Sequence, residues 1–292
     1  NAPGTSAALT GNPRTLVITN TGTEPAMAVN PVVGGAPTGT AITSSTCGTL
    51  NAGASCSVTI TPGNTASAAP GAAVVPMTVT VSGSNTNTVV ANVSVLTFGV
   101  IHQGGYVFAI DDSTTATSGV GGKVAGLADT TTGVIWSSNG NGGSNLDADY
   151  ATVPGIDELS LTSQGECNGK SDGACNTNRI RTLYAGVSNV FHAAGTCVAT
   201  QSGYSDWYLP AICELSSQGT AGCTGSASMQ ANLIDTNLIS LPSSFYWSST
   251  QTSFNPMNNA WLHRFDSIGA DNTLDADKSN ELAVRCVRAL TF

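Results

Sequence analysis

The chain has 292 residues, enough for two domains that each bury a core. Asp, Glu, Lys and Arg make up only 9% of it, a composition that argues against a helix-rich cytosolic enzyme and for short strands joined by turns. The formal charge is −9, which argues against a nucleic-acid partner, since phosphate binding draws on clustered Lys and Arg.

That charge is unevenly spread. Residues 1–97 hold one basic residue, Arg14, and one acid, Glu24, so the whole deficit lies beyond them. An acidic second region also weakens the case for a sulfated polysaccharide ligand unless a local basic patch exists. No apolar run approaches the roughly eighteen residues of a membrane helix. The small, polar start at Asn1 reads as that of a mature or trimmed exported protein, placed outside the cell or on its outer surface, with a lipid anchor before trimming as one route there.

Eight cysteines support an oxidising compartment. No C-x2-C or C-x4-C pair with a nearby histidine suggests zinc, so disulfides are the expectation. Cys47 and Cys56 stand in the first region; Cys167, Cys175, Cys197, Cys213, Cys223 and Cys286 stand in the second. Six cysteines allow about 15 pairings; the pairing expected here is Cys167–Cys175, Cys213–Cys223 and Cys197–Cys286.

In chain order, residues 14–19 are a strand candidate ended by Asn20-Thr21-Gly22-Thr23. Residues 57–61, 75–81 and 89–96 alternate apolar residues with Thr, Ser or Asn over most of their length. Short strands with Gly, Pro and Asn turns predict a β-sandwich over residues 1–98. With no aromatic cluster and almost no charge, this module reads as a spacer. A second domain is expected over residues 99–292. There, residues 102–111 and 129–137 read as strands, and the Gly/Asn/Asp-rich stretch 138–178 as a long loop tied by disulfide. Ile180, Leu183, Val187, Val190, Phe191 and Ala194 fit a helical stripe over 178–198. Shorter helices are expected over 211–216, opened by Pro210, and over 228–239. The remainder is strand and loop, so the chain is mainly β with an α+β C-terminal domain.

Two resemblances sharpen this reading. Asn20-Thr21-Gly22 after a first strand, and Leu50-x-x-Gly53-x-Ser55-Cys56 before another, resemble immunoglobulin-like repeats of bacterial surface proteins. That resemblance implies an immunoglobulin-like sandwich with a Cys47–Cys56 bridge pinning adjacent strands. Further on, GGYVFAIDD (104–112), D-x3-G-x-x-W-S (129–137), DWYLPAICEL (206–215), FYWSST (245–250), AW (260–261) and VRCVR (284–288) follow one another in order. Together they resemble the C-terminal domain family of the Legionella collagen-like adhesin, over about residues 100–292. The resemblance implies a C-type-lectin-like fold in exported or surface-displayed proteins that bind partners. The same fold occurs in the variable proteins of diversity-generating retroelements.

The motifs also have plain physical readings. Trp207, Leu209 and Leu215 should pack inward. Tyr246 and Trp247 should anchor opposite faces of a strand, with Ser248 and Ser249 satisfying backbone groups. Trp261 and Phe265, four apart, should both point inward. Arg285 and Arg288 are either a basic patch or, as favoured here, structural ion pairs with Asp206, Glu214 or Asp266.

Catalytic chemistry finds little material. Three histidines, His102, His192 and His263, are scattered and give no metal centre or Ser-His-Asp triad. A calcium loop counted from Asp275 would put Asn280 at the glycine position and Cys286 at the terminal acid, so the EF-hand pattern fails. Calcium in an irregular loop around 271–281 or 147–158 is the remaining alternative to a solvated acidic loop; no other cofactor is expected. A binding protein is therefore expected, not an enzyme. Recognition should fall to polar loop residues between the aromatic anchors: Thr250, Gln251, Ser253, Phe254, Asn255, Asn258, Asn259, His263, Arg264 and Asp266. Their composition is also that of a retroelement-diversified segment. The partner expected is a host or bacterial surface protein or glycan; a structural or assembly component, oligomeric, is the alternative.

Overall fold

Alternation of Val, Ile and Met with Thr and Ser commits the N-terminal region to paired strands. The computed structural model describes residues 11–113, 119–140, 148–199, 201–217, 219, 221–224, 227–242, 244–265 and 272–291. The chain divides into two compact units, one of residues up to 101 with 110–122 and 290–292, the other of residues 102–109 and 123–289.

In the first unit, β1 (Arg14–Thr19), β4 (Ser55–Thr61) and β3 (Ala41–Ser45) form one antiparallel sheet. β2 (Asn30–Gly34), β5 (Met77–Ser82) and β6 (Val89–Val93) form a second. β4 and β5 are central, and their alternate residues Cys56, Ile60, Met77, Val79 and Val81 are buried in one shared core. Each such side chain contributes about 1.5–3 kcal/mol on burial. Two sheets sharing a core are the expected β-sandwich. β1 begins and ends where the sequence suggests; β2 and β3 were not anticipated, because Pro31 and the Gly-rich flank of β3 mask their short alternation. The disulfide Cys47–Cys56 ties the turn after β3 to β4. Asn20 organises the neighbouring turn, donating to the carbonyls of Glu24 and Leu50 and accepting from Gly22 N–H.

The second unit is built on two further sheets. One is ordered β10 (Thr131–Val134), β14 (Leu282–Val284), β11 (Phe245–Gln251), β12 (Asn259–Arg264) and β13 (Thr273–Asp277). Its pairs are antiparallel except β11 with β14, which meet in parallel at Tyr246 and Ala283. The other is ordered β15 (Val287–Ala289), β9 (Gly121–Gly126), β8 (Gly105–Asp111) and β7 (Ile101–His102). Residues 102–111 are thus not one strand. Gln103 and Gly104 take positive φ, 47° and 86°, and turn the chain into a tight hairpin that glycine allows.

The helical stripe over 178–198 is also corrected. The helix α1 runs earlier, Gly173–Leu183, with Asp172 capping it by accepting from Cys175 N–H at 3.0 Å. It ends before Gly186, and a separate turn, α2 (Ala193–Thr196), starts after His192. Ile180 and Ala194 are buried, but Leu183 and Val190 are exposed, so the stripe runs across α1, a loop, the 3-10 turn Asn189–Phe191 and α2. α3 (Ile212–Leu215) follows Pro210 as expected, and the helix expected over 228–239 shrinks to the π-helical turn Gln230–Ile234. Between β10 and α1 the described residues hold the short 3-10 turn Thr162–Gln164, and Cys167–Cys175 ties this stretch to the helix. Cys197–Cys286 and Cys213–Cys223 complete the expected pairing.

Candidate functional site

The aromatic anchors form the frame of the second unit. Each tryptophan N–H has a partner: Trp136 donates to Ser248 O at 2.7 Å, Trp207 to Gln201 O at 3.0 Å, Trp247 to Val134 O at 3.0 Å and Trp261 to Glu158 Oε2 at 3.0 Å. Tyr246 and Trp247 are fully buried, and Ser248 and Ser249 bond Trp261 O and the Asn176 amide. Trp261 and Phe265 are both inside but in separate clusters, Trp261 with Ile212 and Cys223, Phe265 with Tyr246 and Leu233.

The two arginines of VRCVR are structural. Arg288 holds Asp206 with two bonds, Nε to Oδ1 at 2.7 Å and NH2 to Oδ2 at 2.9 Å, and lies 3.9 Å over the Tyr204 ring. Arg285 pairs with Asp129 at 2.5 Å and donates to Gly126 O. Asp129 in turn accepts from Tyr246, whose hydroxyl is pushed up to about 12 by burial and that carboxylate. Asp206 was an expected partner; Asp129 was not, because nothing in its sequence spacing points to Arg285. Glu214 binds Lys123 and Tyr208 instead. Asp266 lies outside the described residues.

Of the ten expected recognition residues, the structure brings five, Ser253, Phe254, Asn255, Asn258 and Asn259, together on the loop joining β11 to β12 and at its junction with β12. Thr250 and Gln251 precede that loop but are buried. Thr250 accepts from Ile212 N–H and donates to Gly169 O, while Gln251 bonds both the N–H and the carbonyl of Val153. His263 is likewise fully buried, its ring within 3.0 Å of Gln230 Oε1 and edge-on to Phe265. These three are corrected from recognition to interior roles, for β11 and β12 lie inside the five-stranded sheet and are buried on both faces. Arg264 is partly exposed but stands over the Phe245 ring at the far end of β12, roughly 16 Å along the strand from the loop at ~3.3 Å per residue.

What remains is a loop held from below. Ser253 donates from its N–H to Glu158 Oε2 at 2.8 Å and from its hydroxyl to Oε1 at 2.5 Å. The same carboxylate accepts from Trp261, so one mostly buried acid ties loop to frame. Asn255 accepts on its carbonyl from the N–H groups of Asn258 and Asn259, forming a helical turn at the tip. Lys278, fully buried, donates its ammonium to Pro256 O, Ala151 O and Gln251 Oε1, each at 2.7 Å, and sits 4.4 Å from the Trp136 ring centre. Burial lowers its pKa to about 7. Above this support Phe254 is 65% and Met257 53% exposed, and Phe254 meets the Trp261 edge at 6.2 Å. Leu159 and Leu161, just after Glu158, are exposed as well.

Sequence reasoning missed Glu158, Lys278 and Met257. Lys278 had a faint signal as the sole cation of an acidic stretch; Glu158 sits in a loop where no pattern singles it out. In the stretch considered for calcium, Asp275 accepts from Asn259, and Asp277 accepts from Ser279 and Tyr150. Among the described residues no group of three or more His, Cys, Asp or Glu side chains could hold a metal ion.

With its frame and loop laid out, the second unit can be placed among known proteins. Residues 126–288 match the Lcl C-terminal domain family, and the chain belongs to that family. No curated protein matches the chain. Among solved structures, the secreted serine protease VesC from Vibrio cholerae shares 17% identity over 46% of this chain and 35% of its own, with a TM-score of 0.25. The chain thus spans about a third of that protein, and a likeness so low carries no argument about fold or activity.

Proposed function

We propose that the protein is a surface-displayed or secreted binding protein whose second unit, C-type-lectin-like by the family resemblance, recognises a protein or glycan partner through residues 253–259. One observation carries this reading. Phe254 and Met257 are exposed on a loop whose backbone is anchored by Glu158 and Lys278. A fixed backbone and a rigid aromatic held out into water cost little ordering on binding, and the flexible thioether beside them can adapt to a partner, which is what a recognition surface needs. Family membership supports an adhesin-related role, and four disulfides suit an extracellular setting. No helix among the described residues is long and apolar enough to cross a membrane.

A binding role is proposed in place of a catalytic one because the polar groups beneath the loop are spent on holding it. Glu158 accepts three bonds and Lys278 donates three. If retroelement diversification acts on this chain, it acts on Ser253, Asn255, Asn258 and Asn259, and spares Thr250, Gln251 and His263. The test is replacement of residues 253–258 by Gly and Ser. Labelled chain is applied to glycan arrays and to intact bacterial and host cells. Loss of binding with unfolding unchanged supports the proposal, and undiminished binding overturns it.

A further inference from the structure

The N-terminal sandwich has four sheet edges, and three carry a device that discourages pairing with a foreign strand. Edge strands present unpaired N–H and C=O groups and are normally blunted by charge, proline or a bulge. β2 contains Pro31, β3 is broken by a register shift between Ile42 and Ser44, and β1 opens on Arg14, which is paired with Asp112. β6 has none of these. Its sequence Val-Val-Ala-Asn-Val pairs with β5 in unbroken register, and among the described residues no strand lies on its other side.

Apart from Asn92, which shares the outer face with Val90, its side chains are apolar on both faces. Val90 lies in a row with Thr80 and Val32 on the outer face, where Val90 is 58% and Val32 54% exposed. Val89, on the opposite face, is 53% exposed and lines a groove of about 460 Å³ with Ile18, Leu50 and Val81. Charge decides who can approach. Residues 25–110 contain no Asp, Glu, Lys or Arg, so the strand edge itself is uncharged, and Glu24 is the one acid lining the groove. Two copies of an acidic chain repel one another over charged surfaces but can meet along β6 with no charged side chain on either paired strand.

We propose that β6 is a self-association edge, pairing antiparallel with β6 of a second copy and joining two three-stranded sheets into one. Pairing about Ala91 sets Val89 of each copy opposite Val93 of the other, the self-complementary geometry of a twofold dimer. It also brings apolar side chains to the mouth of the groove. The assembly does not involve the loop at 253–259, so the two proposals stand or fall separately.

The test is sedimentation velocity of the full chain over rising concentration, comparing wild type, Val90→Lys and Val32→Lys. The expected result is a dimer for wild type and for Val32→Lys. Val90→Lys should weaken dimerisation about tenfold or more, with unfolding of the monomer, measured at concentrations below dimerisation, unchanged because the side chain is already half in water. A monomeric wild type, or a dimer indifferent to Val90→Lys, overturns the proposal. Equal loss in both variants also overturns it, because that outcome marks stacking of sheet faces.

Discussion

Lys278 donates its ammonium to the Pro256 carbonyl at 2.7 Å, hanging an exposed loop from a cation buried in the frame. Ala151 and Gln251 supply the other two acceptors, and the Trp136 ring covers the group. The lysine therefore does for the loop what a bound metal ion does elsewhere: it gathers carbonyl oxygens from separate segments around one positive charge.

Lys278→Met keeps the length of the side chain and removes all three bonds. The carbonyls of Ala151 and Pro256 then lose this donor, and Gln251 Oε1 keeps only the Val153 N–H, with an expected cost of about 2–5 kcal/mol. Urea unfolding of the full chain measures it. A cost within experimental error of zero would show that water or side-chain movement replaces the ammonium.

The same group gives stability a pH dependence with a definite sign. Burial outweighs the pull of Asp149 and Asp277 and lowers Lys278 from 10.5 to about 7. Between those values the unfolded chain binds more protons than the folded one, so this lysine's contribution to stability rises with pH across that window. Below about 7 the full desolvation penalty is present in the folded state. Wild type should gain stability relative to Lys278→Met between pH 7 and pH 9. A flat or falling difference contradicts the assignment.

The disulfides should differ in weight. Cys197–Cys286 closes a separation of 89 residues, whereas Cys213–Cys223 closes 10. Loop-closure entropy gives about 4–5 kcal/mol for the first and about 3 kcal/mol for the second. Replacing each pair by alanine and comparing thermal unfolding tests the order. Equal losses would mean that native contacts, not chain entropy, set the effect.

Much of the frame was legible because it rests on local chemistry. Alternation gave β1, β4 and β5, and the arrangement of aromatics around Tyr246 and Trp247 marked a buried strand. The family motifs lie almost wholly in such interior positions. The recognition residues were harder, since a polar residue next to an anchor can face either way. Thr250 and Gln251 end β11, whose central place in the sheet buries both its faces, while Ser253 lies past the strand end and is free to meet Glu158. Polar composition alone could not separate these cases. The partners of Arg285 and Ser253 lie 156 and 95 positions away, at Asp129 and Glu158, distances over which one sequence carries no signal. Residues 178–198 failed for a related reason: apolar spacing persisted across a loop that Gly186 opens.

Phe254→Ala is the most direct test of the claim that exposed loop residues, not the buried aromatic frame, make contact with the partner. Thr250→Val is its control, since it removes two interior hydrogen bonds at an expected cost of about 1–3 kcal/mol. Affinity for whichever cell surface or glycan the wild type binds is measured by titration. The account predicts that Phe254→Ala weakens binding about tenfold or more without changing unfolding. Thr250→Val should lower stability and leave the affinity of the folded fraction intact. Undiminished affinity in Phe254→Ala, with loss in folded Thr250→Val, would contradict it.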